Sequence, residues 1–121
     1  MNRPAALSDT RIRNTRPAVK PIKLTDGGGL FLLINPNGSR LWRYRYRLNG
    51  KENVFAIGEY RNSPNGETPE AKAARVAGGS YTLAEARGEQ AKARALVKAG
   101  QHPSAARAET RRLTRGARET T

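Results

Sequence analysis

The run RLWRYRYRL over Arg40–Leu48, followed by Asn49-Gly50 and then by KENVFAIG over residues 51–58, leaves this chain little freedom in how it folds. Strict alternation of apolar and charged residues is the pattern of a half-buried strand. Asn-Gly between two such runs specifies a two-residue type I′ hairpin turn, because both turn residues take positive φ. A two-residue turn also fixes register. Leu48 then faces Lys51, Arg47 faces Glu52, Arg45 faces Val54, Tyr44 faces Phe55, Arg43 faces Ala56 and Trp42 faces Ile57. The large apolar pairs fall on one face, and Arg43, Arg45 and Arg47 fall on the other with small or polar partners. A slip of one residue destroys this sorting, so the register is strongly specified.

Upstream, Leu30-Phe31-Leu32-Leu33-Ile34 is a strand entered through the tight turn Asp26-Gly27-Gly28-Gly29. A three-residue loop at Asn37-Gly38-Ser39, with Gly38 in positive φ, joins it to the hairpin. Leu30, Leu32 and Ile34 then share a face with Trp42 and Tyr44. Phe31 and Leu33 are left on the arginine face, either against DNA sugars and thymine methyls or beneath the N-terminal segment. Three antiparallel strands in sequence make a meander.

Around it, Ser8 caps a short helix reaching about Asn14, with Asp9 placed to favour the helix dipole. Pro17 and Pro21 bound an extended basic linker. Thr82-Leu83-Ala84-Glu85 is a capping box opening the main helix, which stops at Gly100 and carries Leu83, Ala86, Ala93, Leu96 and Val97 as its apolar stripe. Residues 61–80 look inserted: a loop from Arg61 to Gly66, then a short helix from Thr68-Pro69-Glu70 to Gly78-Gly79. Beyond His102-Pro103 the chain reads as a solvated linker or a helix lacking its partner, with Leu113 its one large apolar residue. The expected fold is α+β: a three-stranded antiparallel β-meander packed against one main α-helix, with a short N-terminal helix. The expected division is a basic N-terminal arm over 1–22, a folded domain over 23–100 and a linker or tail over 101–121.

Charge decides what such a scaffold can bind. The formal net charge of the 121 residues is +13 and only 36% of them are hydrophobic. Lys and Arg near phosphates release condensed counterions, so nucleic acid is the favoured partner; a membrane surface is the weaker one, for lack of an apolar helix face. The absence of cysteine excludes disulfides and thiolate–metal sites, and a lone histidine, His102, cannot build a zinc site. No catalytic constellation and no cofactor motif is present: the glycines at 27–29 lack the Lys-Ser/Thr ending of a phosphate loop. The longest apolar stretch, Leu30 to Ile34, is of strand length, which makes the cytoplasm the default location.

The candidate contacts are Arg43, Arg45 and Arg47, flanked by Arg40 and Lys51, with no acidic residue between Asp26 and Glu52. Alternate residues of a strand project together about 7 Å apart, and a thin sheet fits the major groove of B-form DNA. Lys23 and Arg11, with Arg13, Arg16 and Lys20, form a basic arm that either tracks the DNA or merely solubilises the chain. Trp42, Tyr44 and Tyr46 as a base-stacking platform are set aside, because the core needs them. Arg87, Arg94 and Lys98 read as a solvated helix face.

Taken in order, these segments resemble the N-terminal arm-type DNA-binding domain of phage and genomic-island integrases of the tyrosine recombinase family. The matching residues are Leu7-Ser8-Asp9 with Ile12, Lys23 to Leu30 with Leu32, Gly38-Ser39, Leu41 to Arg47, Ile57-Gly58-Glu59-Tyr60, Leu83 to Arg87, and Gly100 with Pro103-Ser104. The resemblance implies a three-stranded sheet on a helix that binds repeated arm sites in double-stranded DNA. It implies other integrase protomers as partners, in site-specific recombination and DNA integration at the bacterial nucleoid. Arg43, Arg45 and Arg47 carry over as the DNA face. The catalytic domain of such integrases has no counterpart here, so the chain is expected to be a fragment or a truncated gene product and not an enzyme. Residues 61–80 lengthen a connection that is short in many members, and His102 stands where aspartate is common. Two rival readings remain: a protein-interaction module for protomer assembly, and a generic basic RNA-binding protein.

Overall fold

In a computed structural model, which describes residues 7–62 and 66–108, the hairpin forms as its sequence dictates. Asn49 and Gly50 take φ of 55° and 76°, and β3 (Arg40–Leu48) and β4 (Lys51–Tyr60) pair as expected from Leu48 opposite Lys51 through Arg43 opposite Ala56. The next pair departs from expectation. A β-bulge sets Trp42 opposite Gly58 instead of Ile57. Beyond the bulge the end of β4 pairs with a short strand, β5 (Ser80–Tyr81), which runs parallel to it. Glu59 N–H donates to the Gly79 carbonyl and Arg61 N–H to the Tyr81 carbonyl, each at 2.8 Å. Gly58 is required at this junction, since a Cβ there would lie 2.3 Å from the Gly79 carbonyl oxygen and 2.7 Å from the Tyr81 ring.

The meander is therefore the centre of a larger sheet. Five strands lie in the order β1-β2-β3-β4-β5, where β1 is Ile22–Gly27 and β2 is Leu30–Ile34. The three-stranded expectation missed both edges. The end of the basic linker forms β1, which pairs antiparallel with β2 and turns Ile22 and Leu24 toward the core, Lys23 and Thr25 away from it. The β1–β2 turn uses the triple glycine. Gly29 sits at φ 94° with its carbonyl accepting from Arg45 N–H at 2.8 Å, and a Cβ there would meet the Arg45 carbonyl at 2.3 Å. The loop between β2 and β3 lies one residue earlier than expected: Asn35 N–H donates to the Ser39 carbonyl at 2.9 Å, leaving Pro36, Asn37 and Gly38 between them. Leu32 consequently faces Trp42 and Leu30 faces Tyr44. The shift in pairing is by two residues, so every side chain keeps its expected face.

The helices follow their capping signals. Ser8 caps α1 (Asp9–Asn14), Thr68 caps α2 (Pro69–Ala77), and the box of Thr82 and Glu85 opens α3 (Leu83–Lys98). Ile12 of α1 and Leu83, Ala86 and Ala93 of α3 join Leu30, Leu32, Ile34, Trp42, Tyr44, Tyr46, Phe55 and Ile57 in one core on the inner face of the sheet. The alanines let α3 approach the strands closely. Trp42 is fully buried, and its Nε1 donates to the Tyr81 carbonyl at 3.0 Å, so one side chain ties the centre of the sheet to its far edge. Residues 103–108, within the stretch expected as linker or tail, are helical and packed: Pro103 is buried, and Arg107 donates to the Ala56 and Ile57 carbonyls. His102 lies in the preceding loop with its Nδ1 2.8 Å from Tyr46 Oη. Residues 1–6 of the basic arm, Ser63-Pro64-Asn65 of the 61–66 loop and the tail from 109 with Leu113 lie outside the described residues. Among the described residues no helix is long and apolar enough to cross a membrane.

The segment that looked inserted is bolted to α3. Arg75 spans Glu67 and Glu85 with four donor contacts of 2.6–2.9 Å and gives a further hydrogen bond to the Ser80 carbonyl. These hydrogen bonds from Arg75, together with one from Thr82 N–H and against the cost of burial, hold the Glu85 carboxyl at about 2 instead of 4.5. A depressed folded-state value means that this stability is present above pH 4.5 and is lost as pH falls toward 2. Urea melts of the wild type should therefore weaken between pH 5 and pH 2.5 more than melts of Glu85→Gln. Parallel declines of the two proteins would show that the carboxylate adds nothing.

Candidate nucleic-acid interface

Strand alternation and one-sided helix packing together create an open face. With α1 and α3 on the inner side, Lys23, Thr25, Arg45, Arg47, Glu52, Val54 and Ala56 are all exposed on the other. Arg43, Arg45 and Arg47 lie in a row on β3, as the hairpin register requires. They are not equivalent. Arg47 is exposed opposite Glu52, while Arg43 is half-buried, its Nη1 donating to the Trp42 carbonyl at 3.0 Å. Burial lowers the Arg43 guanidinium below its ordinary value, though a guanidinium stays protonated in proteins.

Arg45 is held from below by Phe31. The guanidinium carbon lies 5.5 Å from the centre of the Phe31 ring, and Lys23 Nζ lies 5.3 Å from the same centre. A cation over an aromatic face is attracted by the ring quadrupole. Phe31 is only 7% exposed, which explains an apolar residue on a charged face: it is the floor of a cationic cluster. The N-terminal cover foreseen for Phe31 is present as Lys23 of β1. Leu33, opposite Lys23 on one side and Leu41 on the other, is half-buried. Lys23, Thr25, Gly29, Leu30, Phe31 and Arg45 together line a hollow of about 140 Å³.

The other sequence candidates lie elsewhere. Arg40 falls on the inner side of β3 with Trp42, where its Nη2 donates to the Thr15 carbonyl at 3.4 Å and its Nε is buried without a partner among the described residues. Lys51 is exposed at the hairpin tip, opposite Leu48 and on that residue's face. Arg11 is exposed on α1, which packs against the inner face through Ile12. Strand parity alone separates Arg40 and Lys51 from the arginine row, so the signal was available. Val54 is the residue that the sequence reading paired correctly and then passed over. It is 53% exposed directly opposite Arg45.

Arg87 is not the solvated residue expected. It grips Asp26 through two hydrogen bonds of 3.0 and 2.8 Å and donates to the Leu7 carbonyl, joining α3, β1 and the N-terminal segment. Burial opposes ionisation of Asp26, but hydrogen bonds from Arg87 and Leu7 N–H outweigh it and lower its pKa. Arg94 and Lys98 are exposed. Among the described residues no group of three or more His, Cys, Asp or Glu side chains is arranged to hold a metal.

Comparison with known proteins finds a match over residues 7–110 to the family described as the arm DNA-binding domain. Similar relatives are phage and prophage integrases. Prophage integrase IntZ of Escherichia coli (strain K12) is 52% identical over 56 residues, 45% of this chain and 14% of the integrase. The integrase of Shigella phage Sf6 is 37% identical over 54 residues, 45% of this chain and 14% of that protein. The integrase of Enterobacteria phage P4 is 29% identical over 113 residues, covering 92% of this chain and 22% of that protein. The chain thus spans about a seventh to a fifth of the length of these relatives.

Proposed function

Because the chain belongs to the arm DNA-binding domain family, we propose that it binds double-stranded DNA at arm-type sites through the open face of its sheet, as a non-catalytic module in site-specific recombination and DNA integration. The single observation that carries this reading is the row of Arg43, Arg45 and Arg47 on the sheet face that, among the described residues, lies opposite the core. Outward-facing strands fit the major groove, where arginine engages the guanine edge, and flanking cations meet phosphates. Lys23 belongs to this surface. Arg11, Arg40 and Lys51 lie off this surface, toward the inner side of the sheet.

The similarity to phage and prophage integrases supports placing the module in such a protein, and we assign that protein to the tyrosine recombinases, acting at the bacterial nucleoid with other protomers bound at neighbouring sites. In this reading the DNA-binding domain takes in α1, whose Ile12 joins the core, and residues 103–108, whose Arg107 bonds to β4. No cofactor takes part.

Binding that neutralises four to six phosphates has a log–log salt slope of about −4 to −5. Fluorescence anisotropy on labelled 30-bp duplexes across a series of salt concentrations should give that slope, with tighter binding to selected than to scrambled sequence. Equal competition by structured RNA at the same salt would overturn the assignment in favour of generic basic binding.

A further inference from the structure

We propose that Val54 is a specificity determinant of this face, packing on the C5-methyl of a thymine beside the base pair that Arg45 engages, while Phe31 holds Arg45 ready. The inference rests on the duplex-binding reading above and goes beyond it to a particular side chain and a particular chemical group.

An isolated exposed valine is ordinary on a protein surface. Its position here is what carries the argument. The outer residues of a half-covered antiparallel sheet are normally polar, yet β4 offers Val54 opposite Arg45 and Ala56 opposite Arg43, both exposed. Of the exposed large hydrophobics among the described residues, Val54 and Val19, only Val54 lies in the sheet.

Its neighbour is also the best-prepared cation of the row. Arg43 bonds back to its own strand. Arg45 rests on the Phe31 ring with Lys23 sharing the same support. A planar guanidinium fixed in advance loses less rotamer freedom when it forms a bidentate contact. Phe31 itself is too buried to reach a base, and Val54 is the exposed large apolar side chain that, among the described residues, stands directly opposite Arg45. Directly opposed Cβ atoms in an antiparallel pair are about 5 Å apart, and successive base pairs are about 3.4 Å apart. An arginine and a valine so placed reach neighbouring pairs. In the major groove guanine presents O6 and N7 to arginine, and thymine presents a methyl group that uracil lacks.

The test uses the whole chain and a duplex that it selects from a randomised 20-bp library. That duplex is resynthesised with each dT replaced singly by dU, and each dG singly by its 7-deaza analogue. One dU should weaken wild-type binding about 3- to 5-fold, the worth of one buried methyl group, and it should adjoin a dG whose 7-deaza replacement also weakens binding. Val54→Ser should bind the dT and dU duplexes equally, with a melting temperature lowered by only a few degrees because the side chain is half exposed. Wild-type indifference to every dU, or equal sensitivity in Val54→Ser, overturns this inference alone. Failure to select any preferred duplex overturns the proposed function with it.

Discussion

Trp42→Ala should leave the chain largely unfolded at 37 °C, the largest stability loss expected of any single substitution in the sheet. Truncating a fully buried tryptophan costs about 3–5 kcal/mol, because the cavity only partly collapses. The Tyr81 carbonyl keeps its hydrogen bond from Arg61 N–H but loses the one from Trp42 Nε1, at a further cost of about 0.5–1.5 kcal/mol. A small domain has only about 5–15 kcal/mol in total. The damage should also be spatially specific, since Trp42 packs edge-on against Tyr60 at a centroid distance of 5.9 Å and anchors the parallel edge strand. Trp42→Phe, which keeps most of the volume and loses the N–H, should lie between the two. Thermal melts followed by circular dichroism decide the matter: about 4–8 °C of melting temperature per kcal/mol makes the alanine variant fall by at least about 12 °C. A drop of only a few degrees would mean that the sheet is held together elsewhere.

The same tryptophan marks where the sequence is legible and where it stops being so. Everything within reach of the Asn49-Gly50 turn is local: two positive-φ residues set the turn, the turn sets the register, and the register sorts the faces. The helix starts are equally local, each being a side-chain oxygen three residues before the N–H it caps. Prediction fails where a partner distant in sequence decides. Ile22 to Thr25 is a short alternation behind two prolines, too brief to stand out, and it becomes a strand only because β2 lies beside it. β5 is two residues long and exists through pairing with β4 across the whole 61–80 segment. The bulge that moves Trp42 from Ile57 to Gly58 lies at the same end of β4. Arg87 likewise looked solvated because its acid, Asp26, lies 61 residues away.

The site divides along the same line. Arg43, Arg45 and Arg47 were legible as a row, because alternation is a property of one strand. Their inequality was not, since it depends on Phe31 of β2 and Lys23 of β1. The grouping of Arg40 and Lys51 with them followed nearness in sequence and ignored strand parity, which sends both to the inner side. Sequence proximity is a poor guide to a strand face; an even spacing is the better one.

Replacing Arg43, Arg45 and Arg47 together with alanine should reduce duplex affinity about 100- to 1,000-fold while leaving the fold intact. Each bidentate arginine–guanine contact is worth about 1–3 kcal/mol, and each lost phosphate contact lowers the salt slope by about 1. The three losses are not expected to be equal. Arg45→Ala should cost the most discrimination between selected and scrambled duplexes, because its guanidinium is preset over Phe31. Arg43→Ala should cost less, its Nη1 already being engaged with the Trp42 carbonyl. Arg47→Ala should act mainly on overall affinity, beside the opposing Glu52. The exposed ends of these side chains contribute little to packing, so melting temperature should change by only a few degrees, and this separates lost binding from lost structure. A matched control, Arg94→Ala with Lys98→Ala on the exposed side of α3, removes two charges away from the sheet face. If that pair weakens binding as much as the triple change, net charge alone governs affinity, and the arginine face has no privileged role.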